Sequence, residues 1–230
     1  MTPDTYRFGQ VRWALWQAFT ARETAPASPP QAFETRMRRL LEIDREPDRF
    51  ESETRHAAHA FHGEGPPGQG TDIAFSAADA FCLAIGIELL DSGFKQSEVV
   101  FLLRHLRADL VRQYRRIAAL PLDPRVPEPA RSLPQLPVRR DARGEWADPR
   151  LFLLFRQAEI ERQPVRRRGR RPQGLVFDPE FVAGGDVLGR RLDALTWQGD
   201  RKRFVIEIGH LALDVRDFLA EAPLVKRGRS

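Results

Sequence analysis

The stretch Phe75–Leu120, FSAADAFCLAIGIELLDSGFKQSEVVFLLRHLRADLVRQYRRIAAL, decides the fold. Ser76 is placed to cap a helix, and Asp79 three residues on makes a variant of the capping box. Between Ala80 and Leu90 the only charge is Glu88. A helix that apolar on all sides is buried rather than laid on a surface. Asp91-Ser92-Gly93 ends it, with Gly93 suited to the left-handed position after the cap. Ser97 is placed to cap a second helix. Val99, Leu103, Leu106, Leu110, Tyr114 and Ile117 recur at spacings of three and four, which predicts one apolar face over about five turns. Arg104, Arg107, Arg112, Arg115 and Arg116 fall mostly off that face. The expected centre is a buried helix, a tight turn and a longer amphipathic helix.

Phe75, Ser76, Asp79, Leu83, Ile87, Leu90, Gly93, Phe94, Val99, Leu102 and Leu103 together resemble the second half of the MerR-type winged helix-turn-helix domain. There a wing ending in an aromatic leads into Ser-x-x-Asp, an apolar helix, a Gly turn and a leucine-rich helix. The matched residues lie between Phe75 and Leu103. It implies a winged helix-turn-helix-like N-terminal domain and a DNA-binding transcriptional regulator, with the second helix of the domain in the major groove. Without the resemblance, the same residues specify a buried helical hairpin and no particular function.

Upstream, Phe8–Phe19 carries Val11, Leu15 and Phe19 at i, i+4, i+8, with Trp13 and Trp16 adjoining, and predicts a short amphipathic helix. APASPP at 25–30 breaks it. Gln31 to about Arg45 is the next helix, with Phe33, Met37, Leu40, Leu41 and Asp44 on its inner face and edge. Thr35, Arg36, Arg38 and Arg39 cluster near its start. Under the resemblance they are the DNA-contacting set, because a guanidinium fork binds guanine and phosphate bidentately. Read from the residues alone, they form a solvated helix face paired with Glu34 and Glu42. Arg55–His62 reads as another helical turn. GEGPPGQGTD at 63–72 occupies the position of the wing. It has no Lys or Arg, and no arginine precedes Phe75, so contact there would fall to backbone amides and the Gln69 side chain.

Prolines at 121, 124, 127, 129, 134 and 137 exclude a helix or central strand. The long pairing helix expected of the family at this point is therefore absent. The chain divides on this reading into a 1–120 domain, a Pro-rich linker at 121–149 and a small α+β unit at 150–230. The overall class is mostly α with a small α+β C-terminal part. Leu151–Phe155 is a buried strand, with Gly174–Phe177 and Phe181–Val182 as partners. Arg166, Arg167, Arg168, Arg170 and Arg171 form the densest charge in the chain, suited to non-specific phosphate contact or to an inert solvated loop. Asp200 is placed to cap a last helix on which Phe204, Ile208, Leu211, Val215 and Phe218 make one stripe. That stripe either forms a homodimer interface or covers the small sheet within one chain.

Residues 1–120 carry a net charge of −1 and residues 121–230 a net +6, so the N-terminal half is not basic as a whole. Lys95, Lys202 and Lys226 are the only lysines, an arginine bias typical of a GC-rich genome. No apolar run approaches the roughly 18–20 residues of a membrane span, and no signal-peptide core opens the chain. The single cysteine, Cys82, falls in the apolar helix, which fits a reducing cytoplasm. His56, His59 and His62 lack a fixed fourth ligand and read as ordinary histidines rather than a metal site. There is no GxSxG, HExxH or phosphate-binding Gly loop. No catalytic residue, cofactor or small-molecule effector is assigned. The expected function is a cytoplasmic, homodimeric, sequence-specific regulator binding double-stranded DNA. The alternative is a protein–protein adaptor with a helical core and a basic interaction loop. Groove binding requires Thr35, Arg36, Arg38 and Arg39 to share an exposed face, and an adaptor gives no reason for that.

Overall fold

The computed structural model describes residues 5–20, 28–45, 57–63, 74–119, 139–140, 146–147, 150–158, 175–197 and 203–223. Gln69, the proline-rich stretch and Arg166–Arg171 lie outside them. The elements run β1 (Tyr6–Arg7), α1 (Phe8–Thr20), α2 (Gln31–Arg45), β2 (Ala74–Phe75), α3 (Ala77–Asp91), α4 (Gln96–Ala118), β3 (Arg139–Arg140), β4 (Trp146–Ala147), β5 (Leu151–Ala158), β6 (Leu175–Ala183), α5 (Gly185–Trp197), β7 (Phe204–Glu207) and α6 (Gly209–Glu221). The protein is mostly helical with a small sheet part. Among the described residues no helix is long and apolar enough to cross a membrane.

One compact unit comprises residues 1–119 with 211–230. Its centre is α3, buried without interruption from Ala78 to Ile87, as its lack of a polar face requires. The Ser76 hydroxyl accepts from Asp79 N at 3.1 Å while Asp79 Oδ2 accepts from Ser76 N at 2.8 Å, a complete capping box. At the other end Gly93 has φ +91°. Phe94 N donates to Leu89 O at 3.1 Å and Gly93 N to Leu90 O at 3.0 Å, the two bonds of a Schellman stop. The following helix begins two residues earlier than expected. Lys95 holds the cap position and Glu98 accepts from its backbone N–H at 3.0 Å, so Ser97 lies inside the first turn of α4.

β1 and β2 pair antiparallel, Tyr6 opposite Phe75, and so bring the starts of α1 and α3 together. Residues 57–62 are not the helical turn expected from the sequence. They form a strap whose Ala60 and Phe61 are fully buried. The strap, α2 and α4 meet at Gly86, where an added Cβ would lie 3.2 Å from both Leu40 Cδ1 and Phe61 Cε1 and 3.3 Å from Leu103 Cδ1. Gly86→Val is expected to cost about 1–3 kcal/mol through overpacking, read as a lower urea midpoint. An unchanged midpoint would mean that the three neighbours yield freely.

The last helix differs from its expected form. Phe204–Glu207 is a strand, and the helix starts only at Gly209. Glu207, not Asp200, satisfies its first turn, accepting from Gly209 N at 2.9 Å and His210 N at 3.0 Å. From Leu211 onward α6 groups with the first unit rather than with residues 150–210. Phe218 meets Trp13 edge-on at 6.3 Å, and Arg216 Nη1 donates to Ala118 O at 3.3 Å. The stripe Phe204, Ile208, Leu211, Val215, Phe218 is therefore no single helical face. Phe204 belongs to the sheet, and Ile208, Leu211 and Val215 are buried within the one chain.

The second unit, residues 120–210, holds an antiparallel sheet in the order β6-β5-β7. Leu153 stands opposite Phe181 on one side and Ile206 on the other. The two partner segments expected at 174–177 and 181–182 are one strand, β6. The register shifts between Leu154 and Arg156, where Asp178 and Pro179 face Phe155. Such a bulge is where a strand tolerates proline's missing N–H. Gly184, at φ +88°, turns the chain into α5, a helix the sequence reading did not assign. Leu188, Leu192 and Leu195 of α5 pack against Phe152, Leu154 and Val182 of the sheet. A two-residue antiparallel pairing, Arg140 opposite Trp146, joins β3 and β4.

Candidate nucleic-acid interface

α2 sorts its residues as an amphipathic helix must. Phe33, Met37, Leu40, Leu41 and Asp44 are buried. Thr35, Arg36, Arg38 and Arg39 occupy the opposite side, with Arg38 and Arg39 exposed and the other two half-buried. The four residues do share one solvent-facing side, but they are not equally available.

Thr35 Oγ1 donates to Gln31 O at 2.9 Å, within its own helix. Arg38 is held twice: its Nε and Nη2 reach Glu34 Oε1 at 2.9 and 2.7 Å, and its guanidinium lies 4.7 Å from the Phe8 ring centre. Arg12 pairs with the other oxygen of Glu34. The Arg38 hydrogen bond, followed by that of Arg12, holds the Glu34 carboxyl below the usual range. Arg36 pairs with Asp91 at the end of α3. Arg39 is the member of the set that makes no ion pair among the described residues. It is a full charge on an exposed, rigid helix, free to meet an anion.

What holds α2 in place is a buried ionic network that the sequence reading did not anticipate. Asp44 Oδ1 accepts from Arg104 Nε at 3.0 Å and from Ala60 N at 2.8 Å, and Oδ2 accepts from Phe61 N at 3.0 Å. Arg104 Nη2 also donates to the Asp44 carbonyl at 3.1 Å. Beside it, Arg107 Nη1 donates to Ala60 O at 2.8 Å, and Arg107 Nη2 pairs with Asp79 Oδ1. Asp79 thus divides its two oxygens between the α3 cap and the ion pair. Arg104 and Arg107 are 5% and 9% exposed, so they belong to the packed side of α4 rather than lying off it. The sequence signal was present in Asp44. A carboxylate on the inner face of a helix needs a buried cation, and of the i, i+3 arginines on the neighbouring helix Arg104 supplies it while Arg107 serves Asp79.

The strap histidines are structural too. The His59 Nδ1–H donates to the Asp44 carbonyl at 2.9 Å. His62 packs against Phe75 with ring centres 5.2 Å apart, and burial pushes its imidazole below the usual histidine range. His56 lies outside the described residues. Among the described residues no group of three or more His, Cys, Asp or Glu is arranged to hold a metal ion. Burial pushes the Cys82 thiol up to about 12, so it stays protonated in the core.

No family model matches the chain, and no curated protein or solved structure does either.

Proposed function

We propose that the protein is a DNA-binding regulator that presents α2 to the major groove from a winged helix-turn-helix-like first unit. The observation that carries this reading is Arg39, exposed and without an ion pair among the described residues, on a helix locked from behind by the Asp44 network. A recognition helix needs both properties. Its outer side chains must be free to exchange water for base edges, and its axis must not move when they do. Groove binding also accounts for the clustering of Thr35, Arg36, Arg38 and Arg39 on one side. Arg166, Arg167, Arg168, Arg170 and Arg171 would then add sequence-independent affinity for the phosphate backbone. Gln69 would contact a phosphate from the segment that follows the strap. Two copies on a two-fold site would multiply affinity, through a surface other than the stripe buried in one chain.

The test begins with selection of bound genomic fragments by the purified chain. Arg39→Ala is expected to weaken binding to the selected duplex by about 1–3 kcal/mol, as for loss of one base contact. Its circular dichroism should not change, because the side chain supports nothing inside the fold. Arg38→Ala should cost less, since Arg38 must first leave Glu34 and Phe8. Equal affinity of wild type and Arg39→Ala for the selected sequence would remove α2 from the interface.

A second reading, a protein–protein adaptor, is favoured by one observation. Trp16 and Phe19 are half-buried and both meet Phe33 edge-on, at 5.4 and 6.1 Å, an aromatic cluster of the kind enriched at protein interfaces. A chain that selects no DNA but retains this cluster would bring that reading forward.

A further inference from the structure

Asp91 is the final residue of α3, and Glu88 lies one turn before it. Both carboxylates stand at the negative end of the helix macrodipole, where cations are favoured and anions are not. Burial and the neighbouring Asp91 charge together push the Glu88 carboxyl upward. Asp91 therefore does nothing for the helix that carries it. Its side chain, 55% exposed, pairs instead with Arg36, a residue 55 positions away and on the outward side of α2. Among Arg36, Arg38 and Arg39, Arg36 alone is ion-paired to another helix; Arg38 is ion-paired within α2 and stacks on Phe8 of α1, and Arg39 is held by nothing described.

We infer that Asp91 is an internal competitor for the DNA phosphate: it holds Arg36 in the free protein, and Arg36 exchanges Asp91 for a phosphate oxygen on a duplex. The inference rests on the DNA-binding reading above and adds to it a named restraint. Asp91 engages Arg36 through Nη2, and carboxylate and phosphate oxygens accept from a guanidinium N–H alike, so the two compete for that donor. The exchange keeps Arg36 paired throughout, so it costs little desolvation. What it changes is affinity, because a duplex contact through Arg36 Nη2 must first break the internal one. Binding of indifferent sequence is lowered by that amount. A site that also engages Arg39 through its base edges overcomes it.

The prediction is a gain of function. Wild type, Asp91→Asn, Arg36→Ala and the double variant would be titrated, as full-length chains, against a fluorescein-labelled 30-base-pair duplex of mixed sequence. Asp91→Asn is expected to bind roughly two- to fivefold more tightly, the scale of an exposed ion pair released. Removing any negative charge favours DNA slightly, so the double variant decides the matter. In the Arg36→Ala background the Asp91→Asn gain should vanish. A gain of the same size without Arg36 would mean general charge only and overturn the inference, as would unchanged or weaker binding by Asp91→Asn. The melting temperature of Asp91→Asn should hold or rise, because the helix loses an unfavourable end charge; a fall would show that the pair is a structural tie. No binding by wild type at any salt concentration would remove the DNA reading and this inference with it. Binding without coupling would remove this inference alone.

Discussion

Asp44→Ala is expected to destabilise the first unit by about 3–5 kcal/mol, the usual cost of removing one partner from a buried ion pair. Three groups lose their acceptor at once: the Arg104 guanidinium and the backbone N–H of Ala60 and Phe61. Each is buried where water cannot readily replace the carboxylate, and the one bond Arg104 keeps to the carbonyl of residue 44 offsets only part of the desolvation cost. The strap would then loosen from α2, and Phe61, which fills the space beside Gly86, would lose its anchor. Urea unfolding followed by far-UV circular dichroism measures the loss. Combining Asp44→Ala with Arg104→Leu should recover part of it, because the stranded charge is gone. A loss below about 1 kcal/mol in the single variant would show that water reaches Arg104 and that the network is not closed.

The second large effect is expected at Val215, which has no exposure in the single chain. Val215→Glu places a carboxylate in an apolar site with no cation assigned to it. The cost should be about 3 kcal/mol or more, at the upper end of single substitutions. The measurement is sedimentation together with circular dichroism. Loss of helical signal is the expected result, since α6 closes over its own chain. A fully helical, folded monomer derived from a wild-type dimer would instead make α6 a pairing helix. Val215→Ala separates the two further. It should lower stability by a cavity-sized step without altering the sedimentation coefficient.

The capping box at Ser76 and Asp79, the Gly93 stop, the burial of α3 and the bounds of α2 were all legible in the chain. Each depends on residues within one or two turns of one another, and backbone geometry makes such local rules nearly self-sufficient. Where the local signal was short, it misled. Phe204–Ile206 is three apolar residues, which fit a helix face or a strand equally well, and only β5 alongside decides for the strand. The helix α5 went unassigned, and Gly184 turns the chain directly into it.

The candidate interface divides in the same way. That Thr35, Arg36, Arg38 and Arg39 face outward follows from the 3.6-residue period around Met37, Leu40 and Leu41. Which of those arginines is free does not. Glu34 is a neighbour in sequence, so its hold on Arg38 was foreseeable, but Asp91 lies 55 residues from Arg36 and Arg104 lies 60 from Asp44. A charge finds its partner through space, and the energy of that meeting depends on how much water the fold excludes around it. The sequence by itself determined α1 to α4 and, Arg104 and Arg107 apart, their inner and outer sides. Only the tertiary structure decided which buried aspartate met which arginine, and which arginine on the outer side of α2 makes no ion pair among the described residues.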